Sequence, residues 1–266
     1  MSVVVRSTLE RWPELTAGEI VAIALAGLAA GTINTVVGSG TLITFPVLLA
    51  FGYAPVTANV SNTIGLVPGS VSGAIGYRRE LSGQARRALR FGTMSVAGGI
   101  TGAVLLLVLP SSAFKDIVPV FILAALALTV AQPRIARWML RRDIDLDGRD
   151  GGVLTLLAVY LTGVYGGYFG AAQGIMLLAI LGVALSQDLQ RTNALKNVLA
   201  GLVNGVSGLY FIFAAHVDWA PAGIIACTSI AGAQLGARYG RRLPPAALRA
   251  TIVAVGVFAI VRLVVY

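Results

Sequence analysis

The chain has 266 residues, of which 57% are hydrophobic and only 12% charged, with a mean hydropathy of +0.84. That composition excludes an ordinary soluble domain. The net charge of +9 would point to nucleic acid in a soluble protein. Here, however, the basic residues cluster between apolar runs, as Lys and Arg do in the cytoplasmic loops of membrane proteins, so the expected partner is the lipid bilayer and not nucleic acid.

The first sixteen residues mix Arg6, Glu10, Arg11, Pro13 and Glu14 ahead of any apolar core, which is not the pattern of a cleaved signal peptide. Apolar segments then run 17–38, 41–52, 57–77, 91–109 and 113–132. A basic, polar stretch follows at 134–150, and a second set runs 151–170, 173–185, 189–214, 219–238 and 246–265. A span needs roughly 20 apolar residues; the segments 41–52 and 173–185 fall short and are read as half-helices or re-entrant arms. The expected fold is an all-α integral membrane protein, with a first transmembrane repeat at 1–133, a cytoplasmic linker at 134–150 and a second repeat at 151–266. A lone cysteine, Cys227, excludes an internal disulfide and a cysteine metal cluster, and is expected as a small buried helix residue.

Residues of one type recur at offsets of 132 to 135 positions in conserved order. Gly31 and Gly38 match Gly163 and Gly170; Thr57 matches Thr192; Ser72-Gly73 matches Ser207-Gly208; Gly98 and Gly102 match Gly232 and Gly236; Leu109-Pro110 matches Leu243-Pro244. The charge clusters indicate how the halves are related. Loop 78–90 holds Arg78, Arg79, Arg86, Arg87 and Arg90, whereas its counterpart near 214–219 holds only His216 and Asp218. Loop 110–116 has one Lys and one Asp, whereas 238–249 carries Arg238, Arg241, Arg242 and Arg249. Opposite charge implies opposite sides, hence inverted-topology repeats with a midplane site where they meet, the arrangement of many secondary transporters. If each short segment returns to the side its long partner left, both termini lie outside, with Arg6 and Arg11 on the unfavoured side.

The candidate site lies where each half is interrupted, at GTINTVVGSGTLITFP (31–46) and GVYGGYFGAAQGIMLL (163–178). Broken backbone at membrane depth must face protein or a lined cavity, and the N-terminus of the short helix after each break suits a small anion. Asn34, Ser39, Gly40, Thr41 and Gln173 fall in these stretches. The helices that follow carry Asn59 and Asn62 in one half and Asn193, Lys196 and Asn197 in the other. Their amides are read as orienting oxyanion atoms or as bonding neighbouring helices. Lys196 either balances the charge of an anionic solute or snorkels to the interface. No carboxylate occurs in 20–77, 91–115, 151–187, 189–215 or 219–266, which disfavours a buried proton relay. With no HExxH, no aspartate pair within spans and no Cys–His pair, an intramembrane enzyme is disfavoured, and neither metal nor cofactor is expected. A passive anion channel stays open as the alternative to a carrier. Gly98-x-x-x-Gly102, Gly201-x-x-x-Gly205 and Gly232-x-x-x-Gly236 are read as close helix contacts that also suit a homodimer.

The stretches AGTINTVVGSGTLITFPVLLAFGYAPVTANVSNT (30–63), YGGYFGAAQGIMLL (165–178) and RTNALKN (191–197), with the small-residue helices around Gly98–Gly102 and Gly232–Gly236, resemble the sulfite exporter TauE/SafE family over about residues 18–266. The resemblance implies a permease of the bacterial cytoplasmic membrane that exports sulfite, a sulfonate or another small organic anion. Its site residues would fall near Asn34 to Thr41, Tyr165 to Gln173, Asn59 to Thr63 and Asn193 to Asn197. The first break reads Gly38-Ser39-Gly40-Thr41 and the second Gly170-Ala171-Ala172-Gln173, with fewer glycines than such proteins often have.

Overall fold

The computed structural model describes residues 15–141, 151–240 and 245–265; residues 1–14, 142–150, 241–244 and 266, with Arg6, Arg11, Arg142, Arg149, Arg241 and Arg242, lie outside them. Among the described residues the chain is entirely helical, without strands. The first half forms α1 (Ala17–Val36), α2 (Thr41–Ala50), α3 (Pro55–Gly76), α4 (Ala85–Val108) and α5 (Ser111–Arg141). The second half forms α6 (Val153–Tyr168), α7 (Gln173–Ala184), α8 (Leu189–Ala214), α9 (Trp219–Tyr239) and α10 (Pro245–Val265). Five of them, α1, α4, α8, α9 and Ser111–Arg134 of α5, are long and apolar enough to cross a membrane. The 22 residues of α3 suffice in length, but its Asn, Ser and Thr side chains lower its hydropathy. With 10 and 12 residues, α2 and α7 reach only about 15–18 Å, roughly half the hydrocarbon thickness.

Local chemistry sets the helix ends. Thr16 and Glu19 form a capping box at α1, Pro55 opens α3, and the Asp188 carboxylate accepts the Gln190 and Arg191 N–H groups at 2.9 Å to cap α8. Two boundaries differ from expectation. Helix α4 starts at Ala85, so Arg86, Arg87 and Arg90 are helical and not in a loop; apolar character marks where the membrane begins, whereas arginine is itself a good helix former. Helix α5 runs to Arg141, into the first half of the linker stretch, where Arg137 Nε donates to Pro133 O at 3.3 Å.

The halves interlock. Helix α1 packs chiefly on α9 and α4 on α6, while α3 packs on both α8 and α9. Each such pairing has a counterpart when the halves are exchanged: α1 on α9 with α6 on α4, α2 on α10 with α7 on α5. Glycines make these approaches close, because a Cβ at Gly98 or Gly102 would overlap the α6 backbone at Tyr160 or Val164, and one at Gly232 would overlap that of α1 at Leu28. Two of the three small-residue motifs are thus occupied within the chain. Of those six glycines only Gly205 meets nothing.

Contacts along each pair give the helix directions. Gly27 lies on Ile225, Gly31 on Ser229 and Gly236 on Thr32, so α1 and α9 run parallel. Gly65 lies on Ala222 and Gly76 on Ala237, so α3 runs with them. Gly208 lies on Ile64 while Asn204 donates to Ser70 Oγ at 3.3 Å, so α8 runs against α3. One end of the bundle gathers the starts of α1, α3 and α9: Asp218 N–H donates to Ser61 Oγ at 2.9 Å, and the Tyr53 hydroxyl is pushed up to about 12 by burial and by the Asp218 and Glu19 carboxylates. The opposite end gathers the starts of α4 and α8. There Gln84 Nε2 donates to Arg191 O at 3.1 Å, Arg191 to Ser82 O at 2.9 Å and Arg87 to Gln187 Oε1 at 3.0 Å. Turns 77–84 and 215–218 therefore lie at opposite ends, and the arginines of the described loops share the first.

Cys227 is exposed on α9, against the expectation of burial. Lipid and protein interior are equally apolar, so residue type alone does not separate a lipid-facing position from a core one.

Candidate functional site

The two breaks have the same construction. At the end of α1, the N–H groups of Val37 and Gly38 both donate to Ile33 O, at 2.7 and 3.0 Å; at the end of α6, those of Phe169 and Gly170 both donate to Tyr165 O, at 2.9 and 3.1 Å. Gly38 (φ 92°) and Gly170 (φ 79°) take the left-handed conformation that closes each helix. The chain then reverses into α2 and α7, whose far ends reach opposite ends of the bundle. Their N-termini consequently converge in the interior, where Gly174 N–H donates to Gly38 O at 3.0 Å and a Cβ on either glycine would overlap the other's backbone. Neither half-helix has a side-chain cap. The buried crossing thus collects the positive poles of two helices.

On one side of the crossing, three residues of α8 grip the end of α1. Lys196 Nζ donates to Asn34 O at 3.0 Å and Thr35 O at 3.3 Å; Asn193 and Asn197 donate their Nδ2 groups to Thr35 O at 3.2 and 3.3 Å. Lys196 is 0% exposed, which rules out snorkelling. Its ammonium faces the negative pole of α1, a helix with no basic residue in its own last turn.

On the other side, α3 plays the corresponding part. Asn59, 134 positions before Asn193, donates Nδ2 to Tyr168 O at the end of α6 at 3.0 Å. Asn62, 134 positions before Lys196, instead faces α2, bonding Thr44 Oγ1 through Oδ1 and donating to Thr41 Oγ1 at 3.4 Å. Buried and unpartnered are Ser39 Oγ and Gln173 Nε2, each next in sequence to a crossing glycine, and the Oδ1 atoms of Asn59 and Asn193. Unmet polar atoms in an interior are rare and expensive, and these four lie at the two breaks or on the helices that bond to them.

The structure therefore brings Asn193, Lys196 and Asn197 together with the backbone of Asn34, and Thr41 together with Asn62. Ser39, Gly40 and Gln173 flank the crossing, and Asn59 stands beside it. Asn34 contributes a carbonyl and not its amide. Sequence reasoning missed Thr44, the Thr35 and Tyr168 carbonyls and Gly174. Backbone carbonyls carry no residue signature, but Thr44 lies one turn beyond Thr41 and was within reach of the same argument.

The model for the sulfite exporter TauE/SafE family matches residues 23–263. The chain belongs to that family. It is similar to the probable membrane transporter protein ORF9 of Sinorhizobium sp, 30% identical over 242 residues covering 90% of each chain. It is likewise similar to the probable membrane transporter protein YfcA of Escherichia coli strain K12, 27% identical over 218 residues covering 81% of this chain and 77% of the relative. A probable membrane transporter protein of Haemophilus influenzae is 26% identical over 213 residues, covering 80% and 81%. No solved structure matches the chain. This TauE/SafE protein is a multi-pass membrane transporter.

Proposed function

We propose that the two halves are inverted-topology repeats that carry a small anion, sulfite or an organosulfonate, out across the cytoplasmic membrane by alternating access around the Gly38–Gly174 crossing. The convergence of two uncapped half-helix N-termini at a buried point carries this reading, since it sets positive potential there without a carboxylate. Lys196 serves as counter-charge to the anion on one side, and Ser39 Oγ, Gln173 Nε2, Asn193 and Asn197 orient the solute's oxygens. The antiparallel run of α3 and α8 supports the inversion. Ser39, Asn59, Asn62 and Lys196 are buried from both ends, which fits an occluded carrier better than an open channel. Export of an anion from a negative interior needs no proton relay, because the potential contributes about 2.3 kcal/mol per charge per 100 mV.

Flux into proteoliposomes tests the reading, with sulfite, thiosulfate, sulfonates and carboxylates compared with and without an imposed potential. Saturable flux of sulfite or a sulfonate, inhibited by its competitors, is the expected outcome; unsaturable flux means a channel, and indifference to every anion defeats the proposal. The topology has its own check. In a Cys227→Ser background, cysteines at Ser82 and His216 should label from opposite sides of the membrane, with Ser82 cytoplasmic.

A further inference from the structure

Five aromatic side chains meet at the tip of the second break. The Phe169 ring lies edge to face with Phe45 of α2, at 5.1 Å between centroids, and 6.0 Å from both Phe114 and Phe121 of α5. Tyr168 lies 5.5 Å from Phe114 and 5.9 Å from Phe121. Rings at these separations attract one another beyond the area they bury. Phe45, Phe114, Tyr168 and Phe169 are buried. Three of the rings come from the first half and two from the second, so the cluster closes a seam between the halves. Its depth follows from the chain. Helix α4 starts at the arginine end, so α5 starts at the other, with Phe114 in its first turn. Asn59, one turn inside α3 from that same end, donates to Tyr168 O. Helix α2 leads there from the crossing, with Phe45 one turn along it. The rings thus stand between the Gly38–Gly174 crossing and the end of the bundle opposite the arginines.

The repeat keeps these positions and changes their chemistry. At an offset of 132, Phe45, Tyr168 and Phe169 match Leu177, Val36 and Val37; at 134, Phe114 and Phe121 match Leu248 and Val255. All five counterparts are aliphatic. Core packing is met by either kind of side chain of suitable volume, so rings on one side only indicate a task that the other side does not share. There the tip of the first break is held instead by the polar donors of Asn193, Lys196 and Asn197. A second observation concerns Tyr168, whose hydroxyl is buried without a partner. Such a group is costly while the rings are packed and is satisfied once water or a solute oxygen reaches it. With alternating access as proposed above, we infer that the five rings are the outer gate of the transport path, closed in this structure. Opening it parts Phe45, Phe114 and Phe121 from Tyr168 and Phe169 and hydrates the Tyr168 hydroxyl.

Accessibility of the crossing tests the gate. In a Cys227→Ser background, Ser39→Cys places a reporter thiol beside Gly38, and a small membrane-impermeant methanethiosulfonate is applied to one face of oriented vesicles at a time. Phe169→Ala removes the ring that contacts Phe45, Phe114 and Phe121. Phe114→Leu/Phe121→Val is the milder variant, giving the cluster the residues that the other half already carries at those positions. Each should speed labelling from outside by on the order of tenfold, the loss of one or two ring pairs, and leave the cytoplasmic rate unchanged. Leu248→Ala, at the counterpart of Phe114, should leave the outside rate unchanged. Tyr168→Phe keeps the ring and removes the hydroxyl that the open form satisfies, so it should slow outside labelling; a rate at or above that of the parent would overturn the part given to the hydroxyl. An unchanged outside rate in both ring variants, an equal gain from the two faces, or a gain confined to the cytoplasmic face would each overturn the gate. Labelling needs no transported anion, so indifference to every anion in the flux assay would defeat the substrate reading and leave the gate standing.

Discussion

Of the alanine changes at Gly38, Gly174 and Gly205, Gly38→Ala should be the most damaging, with Gly174→Ala second and Gly205→Ala neutral or slightly stabilising. At Gly38 two penalties coincide. The backbone has φ 92°, where a side chain costs about 1–2 kcal/mol. The new Cβ would also overlap the Cα of Gly174, and backbone at the crossing of two helix ends has no rotamer by which to withdraw, so overpacking of about 1–3 kcal/mol is added. Gly174 is helical and meets only the second penalty. Gly205 has open space around its Cβ and an α-helical backbone, so alanine should contribute up to about 1 kcal/mol of helix propensity. Thermal unfolding of the three purified variants checks the order. A Gly38→Ala protein as stable as wild type would mean that the breaks do not touch as described, and the candidate site would lose its centre. Flux should follow the same order, because separating the glycines also moves the N-termini of α2 and α7 apart.

Much of this architecture is legible in the chain because lipid imposes strong local rules. Length against bilayer thickness marks α2 and α7 as short, and the expected segment 189–214 coincides with α8 (Leu189–Ala214), but the expected span 151–170 is the 16-residue α6, which also falls short of a full crossing. Less legible is which helix meets which. The repeat relates α1 to α6, but nothing in Gly31 or Gly232 says that α1 packs on α9, in the other half. Small residues announce a close approach and leave its partner unnamed. Cys227 fails for a related reason, since a lipid-facing and a core position have one polarity. At the site, residue types pointed to Asn59, Asn193 and Lys196 because burying their polar groups demands a reason. Their partners, Tyr168 O, Thr35 O and Asn34 O, are main-chain atoms that any residue could supply.

Replacement of Lys196 should separate holding the fold from carrying the solute. Lys196→Met leaves Asn34 O without its side-chain donor and removes the ammonium that faces the end of α1. An unsatisfied buried carbonyl costs about 1–3 kcal/mol, so a loss of about 2 kcal/mol in stability is expected, together with loss of transport. That variant alone cannot assign the charge a role, because a helix cap and a counter-ion both disappear. Lys196→Gln returns an N–H donor and no charge, and it should recover most of the stability. A unit charge roughly 4 Å from an anion contributes about 4 kcal/mol at an effective dielectric near 20. Even half of that would make flux at low solute about 25-fold slower in the Gln variant than in wild type. Lys196→Arg keeps the charge with a larger head and should retain part of the flux. Should Lys196→Gln instead transport as wild type, the ammonium serves only to finish α1, and the attraction for negative solutes would rest on the two half-helix poles and on Ser39 and Gln173 beside them.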